Sequence, residues 1–245
     1  MPELRESLGY RYLQATKFDR EERGGQLPPA IQRTERCKTY PKAEVVELPR
    51  VWPKEGADLL SILQHRRSVR SFAEADISLQ ELALLLWGSQ GISGQAGSFL
   101  FRTAPSAGAL YPIETYLAIQ RVAGLAPGIY HFDVQGFRLE RLAEMVPGPP
   151  LAEACLGQGF IAQAPVNVIW TAIFRRNMAK YGHRGLRYIM LDAGHICGNL
   201  LSTAGFLGLS GCPVAAFFDD EVNGLLGVDG QEESVVYLAS IGRKG

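Results

Sequence analysis

Hydrophobic positions along the chain recur in two rhythms, one helical and one extended. Leu59, Leu60, Ile62 and Leu63 fall on one helical face within residues 57–65. Ser78, with Glu81 three residues on, forms a capping box. Leu79, Leu82, Leu85 and Leu86 then follow at helical spacing. Residues 151–163 also read as helix. The longest helical stretch is 184–207, with Leu186, Ile189, Met190, Ala193, Ile196, Cys197, Leu200 and Ala204 as its apolar stripe. Strands are predicted at 113–120, after Pro112, and as a hairpin over 128–142 around Gln135 and Gly136. The nearly continuous apolar run 166–174 suits a central strand buried on both faces. Residues 213–218 predict a strand, 220–226 a short helix and 234–241 a last strand. The order is α+β or mixed α/β rather than a regular βαβ repeat.

Residues 1–54 differ from the rest. They are rich in charge, carry Pro28, Pro29, Pro41, Pro49 and Pro53, and lack apolar periodicity. They predict an N-terminal arm, with a compact domain over 55–245. Residues 196–218 hold no charge, but they include Asn199, four glycines and Pro213, so they predict a helix end, a turn and a strand rather than a membrane span.

Composition narrows the function classes. The 245 residues hold 25 Lys+Arg against 25 Asp+Glu. This zero net charge argues against a nucleic-acid-binding or anionic-membrane protein. Nineteen of the basic residues are arginines, the side chain suited to gripping a phosphate or carboxylate in two places. Cys37, Cys155, Cys197 and Cys212 are far apart with no C-x-x-C, which predicts reduced thiols in a cytoplasmic chain and no zinc site. No apolar stretch of signal-peptide type opens the chain, and the histidines show no metal-ligand spacing.

Four constellations carry candidate chemistry, each with a plainer alternative. Arg66, Arg67, Ser68 and Arg70 cluster where the first helix ends; they suit a phosphate, or merely a solvated basic helix terminus. The uncharged loop 103–112 admits close backbone approach to a flat or phosphorylated ligand, or is an ordinary turn. Lys180 and Tyr181, among Arg184, Arg187 and Tyr188, suit proton exchange, or form a surface loop before a helix. Tyr188, Asp192, His195 and Asn199 share one face of the long helix, as a site wall, a subunit contact or a partly exposed seam. Gly194 and Gly198 on that helix permit close contact with another helix. The G-x-G-x-x-A match at 157–162 follows a predicted helix rather than a strand, so it fails the dinucleotide-binding test.

Taken in order, these motifs resemble the flavin-dependent nitroreductase family, and within it the SagB-type dehydrogenases that include azoline oxidases. The resemblance runs over about residues 59–242. It rests on R-R-S-V-R at 66–70, L-L-L-W-G-S-Q-G at 84–91, P-S-A-G-A-L-Y-P at 105–112 and G-I-Y-H-F-D at 128–133. It continues through K-Y at 180–181, R-Y-I-M-L-D-A-G-H at 187–195, G-L-S-G-C-P-V-A-A-F at 208–217, L-L-G at 225–227 and the terminal Y-L-A-S-I-G. The resemblance implies an α+β fold with a mixed sheet flanked by helices, in an intertwined homodimer with FMN at the interface. It implies that Arg66, Arg67, Ser68 and Arg70 hold the FMN phosphate and ribityl chain, with Arg243 or Lys244 assisting. Pro105, Ser106, Ala107, Gly108 and Leu110 would reach FMN from the partner subunit, and Pro213, Val214, Ala215 and Ala216 would line the ring. Lys180 and Tyr181 would act as the catalytic base in oxidising an azoline of a peptide substrate. Two alternatives stand beside this reading: an NAD(P)H-dependent nitro or quinone reductase, and a non-catalytic partner in a peptide-modifying complex.

Overall fold

The computed structural model describes residues 4–17, 35, 37–53, 55–97 and 99–245. The Pro28-Pro29 part of the predicted arm lies outside them. In chain order the elements are α1 (Leu8–Ala15), β1 (Glu44–Glu47), α2 (Leu59–His65), α3 (Leu79–Gln90), β2 (Ile92–Ala96) and β3 (Phe99–Arg102). Next come β4 (Ile113–Ile119), β5 (Gly128–Asp133), β6 (Arg138–Glu144), α4 (Gly148–Ala154), α5 (Phe160–Gln163), β7 (Val166–Ile173) and α6 (Phe174–Tyr181). The chain closes with α7 (Gly185–Phe206), β8 (Ser210–Val214), α8 (Asp219–Leu226) and β9 (Glu233–Gly242).

Seven strands form one sheet in the order β1-β6-β5-β4-β7-β9-β8, and β2 and β3 make a separate hairpin. Every strand pairing is antiparallel. The parallel component is two isolated bridges, Ser68 with Gly211 and Ile77 with Val122. The class is α+β, as predicted. Both faces of the central strands are buried, and their side chains alternate between two cores. Leu117, Val168 and Trp170 face one way and pack with Leu82, Leu85 and Leu86 of α3 and Ile189, Ile196 and Leu200 of α7. Tyr116, Ile169 and Leu238 face the other way, toward Leu151 of α4, Ile161 of α5 and Val222 of α8.

α3 begins where the capping box places it: Ser78 Oγ accepts from Glu81 N at 3.1 Å, and Glu81 Oε2 accepts from Ser78 N at 2.8 Å. The cap fixes the start. Its worth, ~1 kcal/mol, is below what burying even one of Leu82, Leu85 and Leu86 contributes, at ~1.5–3 kcal/mol each.

Several expectations need correction. Of the apolar face over 57–65, Ile62 alone is buried; Leu59, Leu60 and Leu63 are exposed at 62%, 77% and 59%. Residues 151–163 are two helices, because Leu156 and Gly157 both take positive φ (60° and 71°), a break no helix continues through. The strand predicted at 213–218 instead runs Ser210–Val214, with Pro213 tolerated because β8 is an edge strand. Ala215 and Ala216 lie past its end. Within the predicted arm, β1 pairs with β6 as an outer strand, and Thr16 after α1 bonds to Arg184 and Arg187.

Candidate active site

The long helix α7 holds the small-residue loop in place. Ser106 Oγ donates to Asp192 Oδ2 at 2.5 Å, and Ala107 N donates to Asp192 Oδ1 at 3.4 Å. Ser106 Oγ in turn accepts from Tyr111 N at 2.9 Å. Burial pushes the Asp192 carboxyl above its ordinary range, partly opposed by the Ser106 and Ala107 hydrogen bonds. Gly108 takes φ 65°, and Ala109 and Tyr111 take φ 52° and 47° without being glycine. Such strain persists only where the surroundings fix it, as Asp192 does here.

Lys180 and Tyr181 reach the same loop. They occupy the last turn of α6 rather than a surface loop. A Cβ added at Gly108 would lie 2.6 Å from Tyr181 Oη and 2.8 Å from Lys180 Nζ. Gly108 therefore serves both its backbone conformation and the approach of these two groups. Tyr181 packs edge-on against Tyr188, ring centroids 4.9 Å apart. Arg184 and Arg187, and Arg175 and Arg176 earlier on α6, are engaged elsewhere. Arg175 pairs with Glu232 and Arg176 with Glu114. Arg184 bonds Tyr188 Oη and Thr16 O, and Arg187 bonds Thr16 and Leu13 O.

A second cluster surrounds a cleft of about 360 Å³ between α2, α7 and β8. Arg66, Arg67 and Lys244 line it together with Ser210 and Gly211, and none of the described residues lining it is Asp or Glu. Val69 N donates to Gly211 O at 3.2 Å, which ties the arginine segment to β8. Arg67 folds back, donating to Gln64 O and Arg66 O. Ser68 bridges to Gly211 through its backbone, and Arg70 lies beside Cys212, where its charge opposes the rise that burial gives that thiol. Arg243 turns away to Glu81, at 2.7 Å, while Lys244 faces the cleft. Pro213 is half-buried, Val214 buried, and Ala215 and Ala216 exposed. No residue of the 105–110 loop lines the cleft. Gly194 and Gly198 have open space where a Cβ would stand, and Met190 and Leu191 beside them are exposed.

Sequence reasoning missed a buried polar network below the loop. Glu114 Oε1 accepts from Arg176 Nη1 at 2.5 Å, and His131 bridges Glu114 (3.1 Å) and Glu140 (2.9 Å). Burial alone pushes the Glu114 carboxyl up; the His131 hydrogen bond and the Arg176 charge outweigh it and hold it at about 2. Arg176 also donates to Tyr111 O at 3.3 Å, so the network props the loop's far end. On the same sheet face Glu233 accepts from Lys38, Tyr116 and Thr171. These polar residues interrupt apolar strands, which is the only signal the sequence offered. Among the described residues, no group of three His, Cys, Asp or Glu is arranged to hold a metal, and no helix is long and apolar enough to cross a membrane.

The family model described as the nitroreductase family matches residues 63–243. A protein of Methanocaldococcus jannaschii described as a nitroreductase is 35% identical over 199 residues, covering 81% of this chain and 96% of the relative. The trifolitoxin-processing protein TfxB of Rhizobium leguminosarum bv. trifolii is 31% identical over 118 residues, 46% of this chain and 32% of that protein. A solved nitroreductase structure from Anabaena variabilis superposes with a TM-score of 0.76 at 26% identity, over 94% of this chain and 45% of that one. This chain thus spans under half the length of that structure. By fold and by sequence the chain belongs to the nitroreductase family and is an oxidoreductase.

Proposed function

We propose that the chain binds FMN, works as a homodimer and oxidises azoline rings of a modified peptide to azoles. The observation that carries this reading is the convergence of Lys180 Nζ and Tyr181 Oη on Gly108, which gives the loop a proton acceptor. The similarity to a trifolitoxin-processing protein supports a peptide substrate.

The residues present fit FMN. Arg66, Arg67 and Lys244 supply cations to one cleft with no carboxylate among the described residues that line it, as a phosphate requires. Bound FMN supplies a two-electron hydride acceptor. The rest falls to the chain. Ser68 and Arg70 extend the grip along the ribityl chain. Pro105, Ser106, Ala107, Gly108 and Leu110 come from the partner subunit, which accounts for their separation from the cleft within one chain. Pro213, Val214, Ala215 and Ala216 border the ring. The glycine-spaced, exposed face of α7 and the exposed leucines of α2 form the subunit contact. Azoline oxidation removes one proton and one hydride, and Lys180 takes the proton with Tyr181 holding it in place. Four free cysteines, three of them buried, suit a reducing cytoplasm.

A second reading is NAD(P)H-driven reduction of a nitro or quinone compound, favoured by the match to nearly the whole M. jannaschii relative. Anaerobic flavin titration separates the two. An azoline peptide bleaches the flavin in the first reading, and NAD(P)H does so in the second.

A further inference from the structure

A cavity of about 180 Å³ lies against the β2–β3 hairpin; Ala109 and Tyr111 of the 105–112 loop line it, and Lys180 and Tyr181 do not. Ile92, Phe99, Leu100 and Val134 give it apolar walls, with Gln135 beside them. One end is cationic. Arg102, 8% exposed, lines the cavity and stacks on the Tyr111 ring at 4.7 Å. Its Nη1 donates to Gln90 Oε1 at 2.6 Å, and among the described residues its Nη2 meets the Cys37 thiol, at 4.0 Å. Among the described residues no carboxylate pairs with it; nearby Glu114 is already taken by Arg176 and His131. A guanidinium carries five N–H donors, and among the described residues the side chain finds one strong acceptor, Gln90, and no carboxylate. Burial also depresses its basicity despite the Glu114 charge nearby. The loop holds its two strained non-glycine residues, Ala109 and Tyr111, against this cavity.

We propose that this cavity is a binding site for a compact apolar group ending in a carboxylate, with Arg102 as its anchor. The volume is close to the ~150 Å³ of an apolar cavity that takes benzene, so one ring or one branched side chain fits. The acid is either a free small molecule or the C-terminal residue of a peptide. The site stands whichever substrate donates electrons to the flavin.

Calorimetric titration of the flavin-loaded full chain with benzoate tests it, with benzamide as the neutral counterpart. Benzoate is expected to bind once per chain with the visible flavin band unchanged. Binding should weaken about tenfold or more for benzamide and for Arg102→Gln, the loss of one charge-assisted hydrogen bond. Leu100→Trp, which fills the cavity, should abolish it. A short peptide ending in phenylalanine, with a free or an amidated terminus, distinguishes the two sources: tighter binding of the free-acid peptide than of benzoate assigns a peptide terminus, and the reverse assigns a free acid. Equal benzoate binding in wild type and both variants, a shifted flavin band, or no binding overturns the proposal. If the variants fail to fold, labelling of the wild type decides. Cys37 is half-buried, whereas burial pushes the other three thiols up, Cys155 and Cys197 to about 12. Benzoate, but not benzamide, should slow alkylation of Cys37; equal rates with and without benzoate overturn the site.

Discussion

Asp192, midway along the 22-residue helix α7, accepts the hydroxyl of Ser106 at 2.5 Å and so fixes a loop 86 positions earlier in the chain. One carboxylate determines where Gly108 sits relative to Lys180 and Tyr181. Asp192→Ala should cost ~1–3 kcal/mol by leaving Ser106 and the Ala107 N–H unpaired. Asp192→Asn, which still accepts from Ser106, should cost less. Urea denaturation gives the stability, and turnover should fall in the same order with KM rising as the loop loosens.

Lys180→Ala and Tyr181→Phe should lower kcat by ~10²–10⁴, the usual range for a lost general base or its partner. Flavin content should stay unchanged, because neither residue lines the cationic cleft. Gly108→Ala tests the same contact from the other side: its Cβ would enter the space of Tyr181 Oη and Lys180 Nζ at a positive φ. Loss of turnover without loss of fold is expected, read by steady-state kinetics and circular dichroism.

Arg243 and Lys244 adjoin in sequence and should behave differently. Lys244→Ala removes a cation from the cleft and should weaken FMN about tenfold, more at low salt than at high. Arg243→Ala removes the ion pair to Glu81, the residue that closes the α3 capping box, and should lower stability with less effect on FMN. Fluorescence titration with FMN at two ionic strengths, beside thermal melts, separates them.

Acid should undo the buried network. Glu114 is held at about 2 against an ordinary 4.5, so its contribution is complete above pH 4.5 and is lost as pH falls toward 2. Glu81, also lowered by the Ser78 hydrogen bonds and Arg243, acts in the same direction, and Asp192, raised by burial, opposes it. Stability from urea denaturation should fall between about pH 4.5 and 2, by a total on the order of 3 kcal/mol. Glu114→Gln should flatten that slope while lowering stability at pH 7, because it leaves Arg176 and His131 short of a charge partner.

Gly194 and Gly198 face open space within one chain. Gly194→Leu and Gly198→Leu should therefore preserve the helical circular dichroism signal but block the subunit contact. Light scattering should report monomers, and flavin should be lost with the dimer. A variant that remains dimeric would place the interface elsewhere.

The parts of this fold that the sequence made legible are those governed by local rules. The Ser78–Glu81 cap, the hairpin at Gln135-Gly136 and the α7 stripe follow from spacing alone, except that Met190, placed in the stripe by its spacing, is exposed at 48%. Ile62 was legible as apolar, but the exposure of Leu59, Leu60 and Leu63 was not, because periodicity cannot tell a buried apolar face from an exposed one. α6 was hidden because Phe174 continues an apolar strand and the two arginines after it resemble a loop. Asp192 was visible as one polar position on a core helix, yet its partner Ser106 is set by tertiary packing. The network of Glu114, His131 and Arg176 was invisible for the same reason, since each residue lies on a different element.

The most direct test is anaerobic spectrophotometry of the purified protein mixed with a peptide bearing an azoline. A yellow protein is expected, whose flavin band bleaches as the azoline becomes an azole, with little bleaching by NADH or NADPH on that timescale and far slower bleaching by the peptide in Lys180→Ala. Rapid bleaching by NAD(P)H with the azoline left intact, or a colourless protein that takes up no FMN, would contradict it.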